Sequence, residues 1–150
     1  MRIIVGSDGG SFEYKEKILA YLKTKEDVEA IDTGVYDDGP SFYADTADKV
    51  GQMIINKEGD RGILICGGGN GMLIAANKVP GIRATMAFDR TALMKSVTSS
   101  ACQIIVFGSA IIPIEKAHDL IDEWLKYDYP AELSAHVKKV IELEHKYNKR

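Results

Sequence analysis

Sulfur and imidazole are scarce in this chain: two cysteines and three histidines stand among 150 residues. Two thiols cannot build a disulfide framework, so Cys66 and Cys102 point to a reducing, cytoplasmic compartment. His118, His136 and His145 fall at no zinc-ligand spacing with the cysteines, so no zinc site is read from them, and no cofactor is expected. An excess of charge of one sign is also missing, because 19 basic and 22 acidic side chains leave a formal net charge of -3. That balance gives no footprint for nucleic acid or for an anionic membrane, although a few local charges suffice to hold a sugar phosphate. No segment approaches the roughly 18 continuous apolar residues of a membrane span. The opening "MRIIVGSDGG" is likewise too short in its apolar part for a signal peptide. With 45% hydrophobic and 27% charged residues, the composition fits a globular domain with a single core over 1–150.

Short β-branched runs alternate with segments of helical period. Strands are expected at residues 2–7, 28–34, 61–66, 82–88 and 103–109. Helices are expected at 12–24, 43–56, 71–78, 91–99 and 115–127, with a last one from about 131 to 147. Phe12, Ile18, Leu19 and Leu22 share one side of the first helix, and Pro80 follows the third. Such alternation means βαβ units and a parallel sheet, with right-handed crossovers placing helices on both faces. The predicted class is α/β: a doubly wound three-layer sandwich with an open parallel sheet of about five strands. Ligands of such sheets bind beyond the carboxyl ends of the strands. Three loops fall there and carry chemistry: "SDGGS", "CGGGNG" and "FDRT". The last helix is basic and follows a domain already complete. It reads either as a solvated helix or as one that docks on a partner subunit.

The loop "CGGGNG" holds the sharpest signal. Glycines between a strand and a helix let backbone N–H groups face an anion. A dinucleotide fingerprint G-x-G-x-x-G fails here, since its third glycine falls on Met72 or Ile74 depending on register. A cysteine at a strand end near a helix N-terminus sits where thiolate is favoured, and a thiolate can act as base or nucleophile. Adjacent amides could then hold an oxyanion formed in the same reaction. A base beside an oxyanion hole suits proton abstraction next to a carbonyl. The competing reading is a cysteine that only packs in the core; Cys102, with no glycine loop beside it, takes that reading.

The segments "GSDGGSFEYKEKI", "IDTGVYD" and "DRGILICGGGNGMLIAANKVPGIRA", with the spacing to "IIVFGS", resemble the ribose-5-phosphate isomerase B and galactose-6-phosphate isomerase family. The resemblance covers nearly the whole chain. It implies a Rossmann-like fold, a homodimer or tetramer with sites between subunits, and metal-free aldose–ketose isomerisation through a cis-enediolate. It places the base on Cys66 and the oxyanion loop on Gly67, Gly68, Gly69, Asn70 and Gly71. Sugar-hydroxyl contacts fall on Asp8 and Tyr43.

Several family positions are changed. Gly9 stands where a phosphate-binding histidine is usual, and Ser99, with Ser100, where the ring-opening histidine stretch is expected. Ala110 and Ala135 replace arginines, and Gly68 replaces a threonine. His136 and Lys138 remain as an anion clamp reaching a neighbouring subunit, and Arg90 offers a replacement positive charge or an exposed helix start. Asn70 offers a substrate contact or a helix cap. These losses spare the base and its loop while emptying the ring-opening and phosphate positions. Three readings fit: a different or already acyclic substrate, one half of a heteromer with a paralogue, or an inactive relative. The expected activity is isomerisation of a small sugar or sugar phosphate.

Overall fold

The computed structural model describes residues 1–148. Five strands alternate with six helices: β1 (Arg2–Ser7), α1 (Phe12–Leu22), β2 (Glu29–Asp32), α2 (Tyr43–Ile55), β3 (Arg61–Cys66) and α3 (Asn70–Ala76) lead. β4 (Ala84–Met86), α4 (Arg90–Thr98), β5 (Ile104–Gly108), α5 (Ile114–Trp124) and α6 (Ala135–Tyr147) follow. All strand pairs are parallel, in the order β2-β1-β3-β5-β4. The sheet is the expected open, doubly wound one.

The central strands β1, β3 and β5 are apolar on both faces because both are covered, as buried parallel strands require. Side-chain alternation then builds two cores. Ile3, Val5, Ile63, Ile65, Ile105 and Phe107 pack under α1, α4 and α5, around Trp124. Ile4, Leu64, Cys66, Ile104 and Val106 pack under α2 and α3.

Differences from expectation lie at element ends. The edge strands β2 and β4 are shorter than the runs 28–34 and 82–88, since each has a single neighbour to pair with. α6 starts at Ala135 rather than 131 because the Ser134 hydroxyl accepts from the Val137 amide at 3.3 Å and sets the cap there. Phe12 is only half-buried, and Lys15 takes a buried place on that face of α1 instead.

Arg61 fixes the route from α5 toward α6. Its side chain is buried, and its guanidinium donates to the carbonyls of Trp124, at 3.0 Å, and Tyr127. The same group lies 5.3 Å from the Trp124 ring centre and 4.7 Å from that of Tyr129. Arg61→Ala should therefore destabilise the fold by about 2 to 4 kcal/mol, through two unpaired carbonyls and lost cation–π packing. Lysine should recover only part of this, lacking the planar fork. Urea unfolding measures both, and a loss below about 0.5 kcal/mol would contradict the assignment.

Candidate active site

In this strand order the chain leaves β1 toward β2 and returns on the other side as β3, so the crevice opens between the carboxyl ends of β1 and β3. Asp8 follows β1 and the Cys66 loop follows β3. The Asp8 amide donates to the Ile65 carbonyl at 3.2 Å, which ties the two segments together.

Cys66 is the last residue of β3 and almost wholly buried. The Gly69 amide donates to its Sγ at 3.2 Å, which fixes the sulfur against the turn. Gly69 has φ 79°, the left-handed conformation that lets the chain double back there. Gly67 and Gly68 are exposed, and the space beside each Cα is open. Among the described residues, no group accepts from the amides of Gly67, Gly68, Asn70 or Gly71. The loop thus presents one thiol and a run of unoccupied N–H donors. Asn70 is exposed and supplies no helix-capping bond, since Gly69 stands at the cap.

Around this loop the structure gathers several of the expected residues. Asp8 Oδ1 and Ser7 Oγ are buried without a hydrogen-bond partner among the described residues, an arrangement that calls for a ligand or water. The Tyr43 ring lies over Gly71, so close that a Cβ there would come within 2.7 Å of it. Gly9 is buried, and its amide donates to Ser41 Oγ at 2.6 Å. A Cβ on residue 9 would overlap the Gly39 carbonyl oxygen, so the histidine the resemblance calls for has no room.

Other expected residues lie elsewhere in the chain. Ser99 and Ser100 close α4 at the amino edge of the sheet, where the Ser100 carbonyl accepts from Arg83 Nε at 3.1 Å just before β4. That is the end opposite Cys66. His136 and Lys138 are exposed on the first turns of α6, and their side chains enter no hydrogen bond or ion pair among the described residues. Arg90 starts α4 and lies 3.9 Å from Asp119 of α5, on the sheet face away from the Cys66 side chain. Cys102 is a core thiol, and burial pushes it above the ordinary value while Arg83 pulls weakly the other way. His118, half-buried on α5, stacks on Tyr21 with ring centres 3.8 Å apart.

Sequence reasoning missed Ser41 and the role of Ser11, whose hydroxyl meets that of Ser109 at 2.9 Å. Ser109 in turn donates its amide to the Cys66 carbonyl at 3.0 Å. Both pairings join segments distant in sequence. The local pattern carried no signal for Ser41.

Residues 3–143 match the family described as Ribose/Galactose Isomerase, and the chain belongs to that family. It is a sugar-phosphate isomerase of the ribose-5-phosphate isomerase B type. The chain is 36% identical over 141 residues to D-erythrulose-4-phosphate isomerase 2 of Mycolicibacterium smegmatis, covering 92% of each. The structure of Clostridium thermocellum ribose-5-phosphate isomerase B superposes with a TM-score of 0.92 at 36% identity, covering 98% of this chain and 99% of that one. The Mycoplasma genitalium ribose-5-phosphate isomerase B, solved with bound ribulose-5-phosphate, superposes at 0.82 with 26% identity, covering 99% and 97%.

Proposed function

We propose that this chain interconverts an acyclic, short ketose phosphate and its aldose through a cis-enediolate, with Cys66 as the base. The Cys66 thiolate takes the proton from C1 of the ketose, and the electron pair moves into the C1–C2 bond and onto O2. The amides of Gly67 to Gly71 hold that oxyanion, as preorganised donors do best where water is excluded. The thiol then returns the proton to C2, and the hydroxyl proton passes from O1 to O2. Asp8 and Tyr43 contact the hydroxyls. The observation that carries this reading is the Gly69 amide on Cys66 Sγ beside free amides that face open space.

A four-carbon substrate is favoured over ribose 5-phosphate. Ring opening needs an acid or base, yet the position expected to supply one holds Ser99. Esterified at O4, a tetrose or tetrulose has no hydroxyl left to close a five-membered ring, so it reaches the site already open. The M. smegmatis relative's name points the same way.

Two further parts complete the reading. The exposed Gly67 and Gly68 need a cover, and α6 offers an apolar side of Val140, Leu143 and Tyr147, each more than half exposed. A homodimer or tetramer docked through α6 would bring His136 and Lys138 to a neighbouring site as an anion clamp. The second reading is a heteromer with a paralogue, favoured by Gly9, Ala110 and Ala135 standing where basic residues are expected. Activity of the purified chain alone, alongside its mass by light scattering, separates the two. Two free thiols fit a cytoplasmic setting.

Deuterium uptake in D2O tests the chemistry directly, across tetroses, pentoses, hexoses and their phosphates. Exchange at C1 should be fastest with D-erythrulose 4-phosphate and slower with D-ribulose 5-phosphate. No exchange with any of them sinks the mechanism.

A further inference from the structure

Lys15 is a fully buried cation that the isomerisation does not use. Its Nζ donates to Asp32 Oδ1 at 2.7 Å and to the Gly34 carbonyl at 3.0 Å, and lies 4.8 Å from the Tyr36 ring centre. Glu16 Oε1 stands 3.3 Å away. Asp32 Oδ1 also accepts from the Gly34 amide at 3.1 Å, so one ion pair fixes both polar groups of that residue. Gly34 and Val35 then turn the chain with φ of 99° and 67°. A β-branched residue stays in that region only where its surroundings compel it.

Past this turn, residues 34–42 form a strap across the crevice. Gly39 presses its carbonyl onto Gly9, and Ser41 accepts the Gly9 amide. At the strap's far end, Tyr43 covers Gly71 of the oxyanion loop. The strap therefore touches the β1 wall at Gly9, where it fills the volume that a side chain at position 9 would need, and it leads into Tyr43, the first residue of α2, on the other wall.

We propose that this strap, seated on Gly9 and locked by Lys15 with Asp32, is the wall that limits the site to a four-carbon chain. The proposal rests on the functional reading above. The reacting carbons lie at Cys66, and the rest of the substrate runs past Asp8 toward Gly9. A fifth carbon has to enter the space that Gly39 occupies. Gly9 is then the specificity residue, because only a missing side chain lets the strap settle this low. Lys15 is a positioning residue acting through Gly34.

The test is the ratio of kcat/KM for D-erythrulose 4-phosphate to that for D-ribulose 5-phosphate. Gly9→Ala should lift the strap and shift the ratio at least tenfold toward the five-carbon substrate, chiefly through KM. Ser41→Ala should shift it the same way by a smaller factor, and this exposed position leaves the fold intact. Lys15→Met should match Gly9→Ala, while Lys15→Arg keeps more of the original ratio. Hydrogen exchange over 34–42 should quicken in Gly9→Ala and Lys15→Met. A ratio unmoved within twofold in both Gly9→Ala and Ser41→Ala, with kcat falling equally on both substrates, overturns the wall. A wild-type protein that turns over neither substrate overturns the functional reading itself, and the wall falls with it. An active wild type with an unmoved ratio removes the wall alone.

Discussion

Cys66→Ala should lower kcat at least about a thousandfold while the melting temperature stays within a few degrees. The thiol is almost fully buried, so its loss removes a small apolar contact worth about 1 kcal/mol and leaves the Gly69 amide without its acceptor. Cys66 sits at the end of the core under α2 and α3, but the larger side chains of Leu64, Met72 and Val106 keep that core closed. The chemistry is another matter. Among the side chains that the structure gathers at the loop, Asp8 and Tyr43 are the titratable alternatives, and both are assigned to hydroxyl contacts. Cys66→Ser adds discrimination, because a hydroxyl restores an acceptor for the Gly69 amide yet is a far weaker base near neutral pH. It should fold like the wild type and stay inactive. Cys102→Ala supplies the control, since that thiol sits just before β5 at the opposite end of the sheet. Deuterium exchange and thermal unfolding on the three variants decide the matter. Turnover in Cys66→Ala above a tenth of the wild-type rate would remove the cysteine from its role.

How far such a site can be read from sequence depends on how its parts are spaced along the chain. Cys66 and its glycines are contiguous, and the strand before them is an apolar run bounded by a turn signal. Their juxtaposition is therefore fixed by local geometry. The central strands were equally legible, because burial on both faces leaves an uninterrupted apolar run in "RIIVGS" and "RGILIC". The edge strands read too long: Thr33 still donates its amide to the Val5 carbonyl of β1, but the polar groups of Gly34 answer to Lys15 and Asp32 and turn the chain off the sheet. The strap was invisible for the same reason. Its seat depends on Gly9 meeting Gly39 and on Lys15 meeting Asp32, pairings set by tertiary folding. Ser99, Ser100, His136 and Lys138 show the reverse case. Family correspondence singled them out, yet the fold carries Ser99 and Ser100 to the far end of the sheet and leaves the other two exposed on α6. Correspondence along a sequence names a position without saying where the fold carries it.

The glycines of the loop should separate by what surrounds each of them. Gly69→Ala should cost about 2 to 4 kcal/mol and abolish turnover, whereas alanine at Gly67 or Gly68 should leave stability within about 0.5 kcal/mol. At Gly69 the left-handed backbone already disfavours a side chain by about 1 kcal/mol. A Cβ there would also overlap the Met86 methyl, come 2.9 Å from its sulfur and stand 3.2 Å from the Gly108 amide nitrogen. The methionine can swing aside, but the backbone of β5 cannot, so the turn itself has to move. That motion carries the Gly69 amide away from Cys66 Sγ, and the sulfur loses the contact that holds it. At Gly67 and Gly68 neither problem arises, because φ is not positive and no atom lies within 4 Å of the added carbon. Their methyl groups would instead project into the open space beside the free amides, where the proposed mechanism puts the oxyanion. Activity should then fall by roughly 10- to 100-fold through crowding of the substrate, a cost of about 1.4 to 2.7 kcal/mol in the transition state. Urea unfolding with steady-state kinetics on the three alanine variants resolves the two patterns. Full activity in both Gly67→Ala and Gly68→Ala would show that the substrate does not approach the loop from its open side.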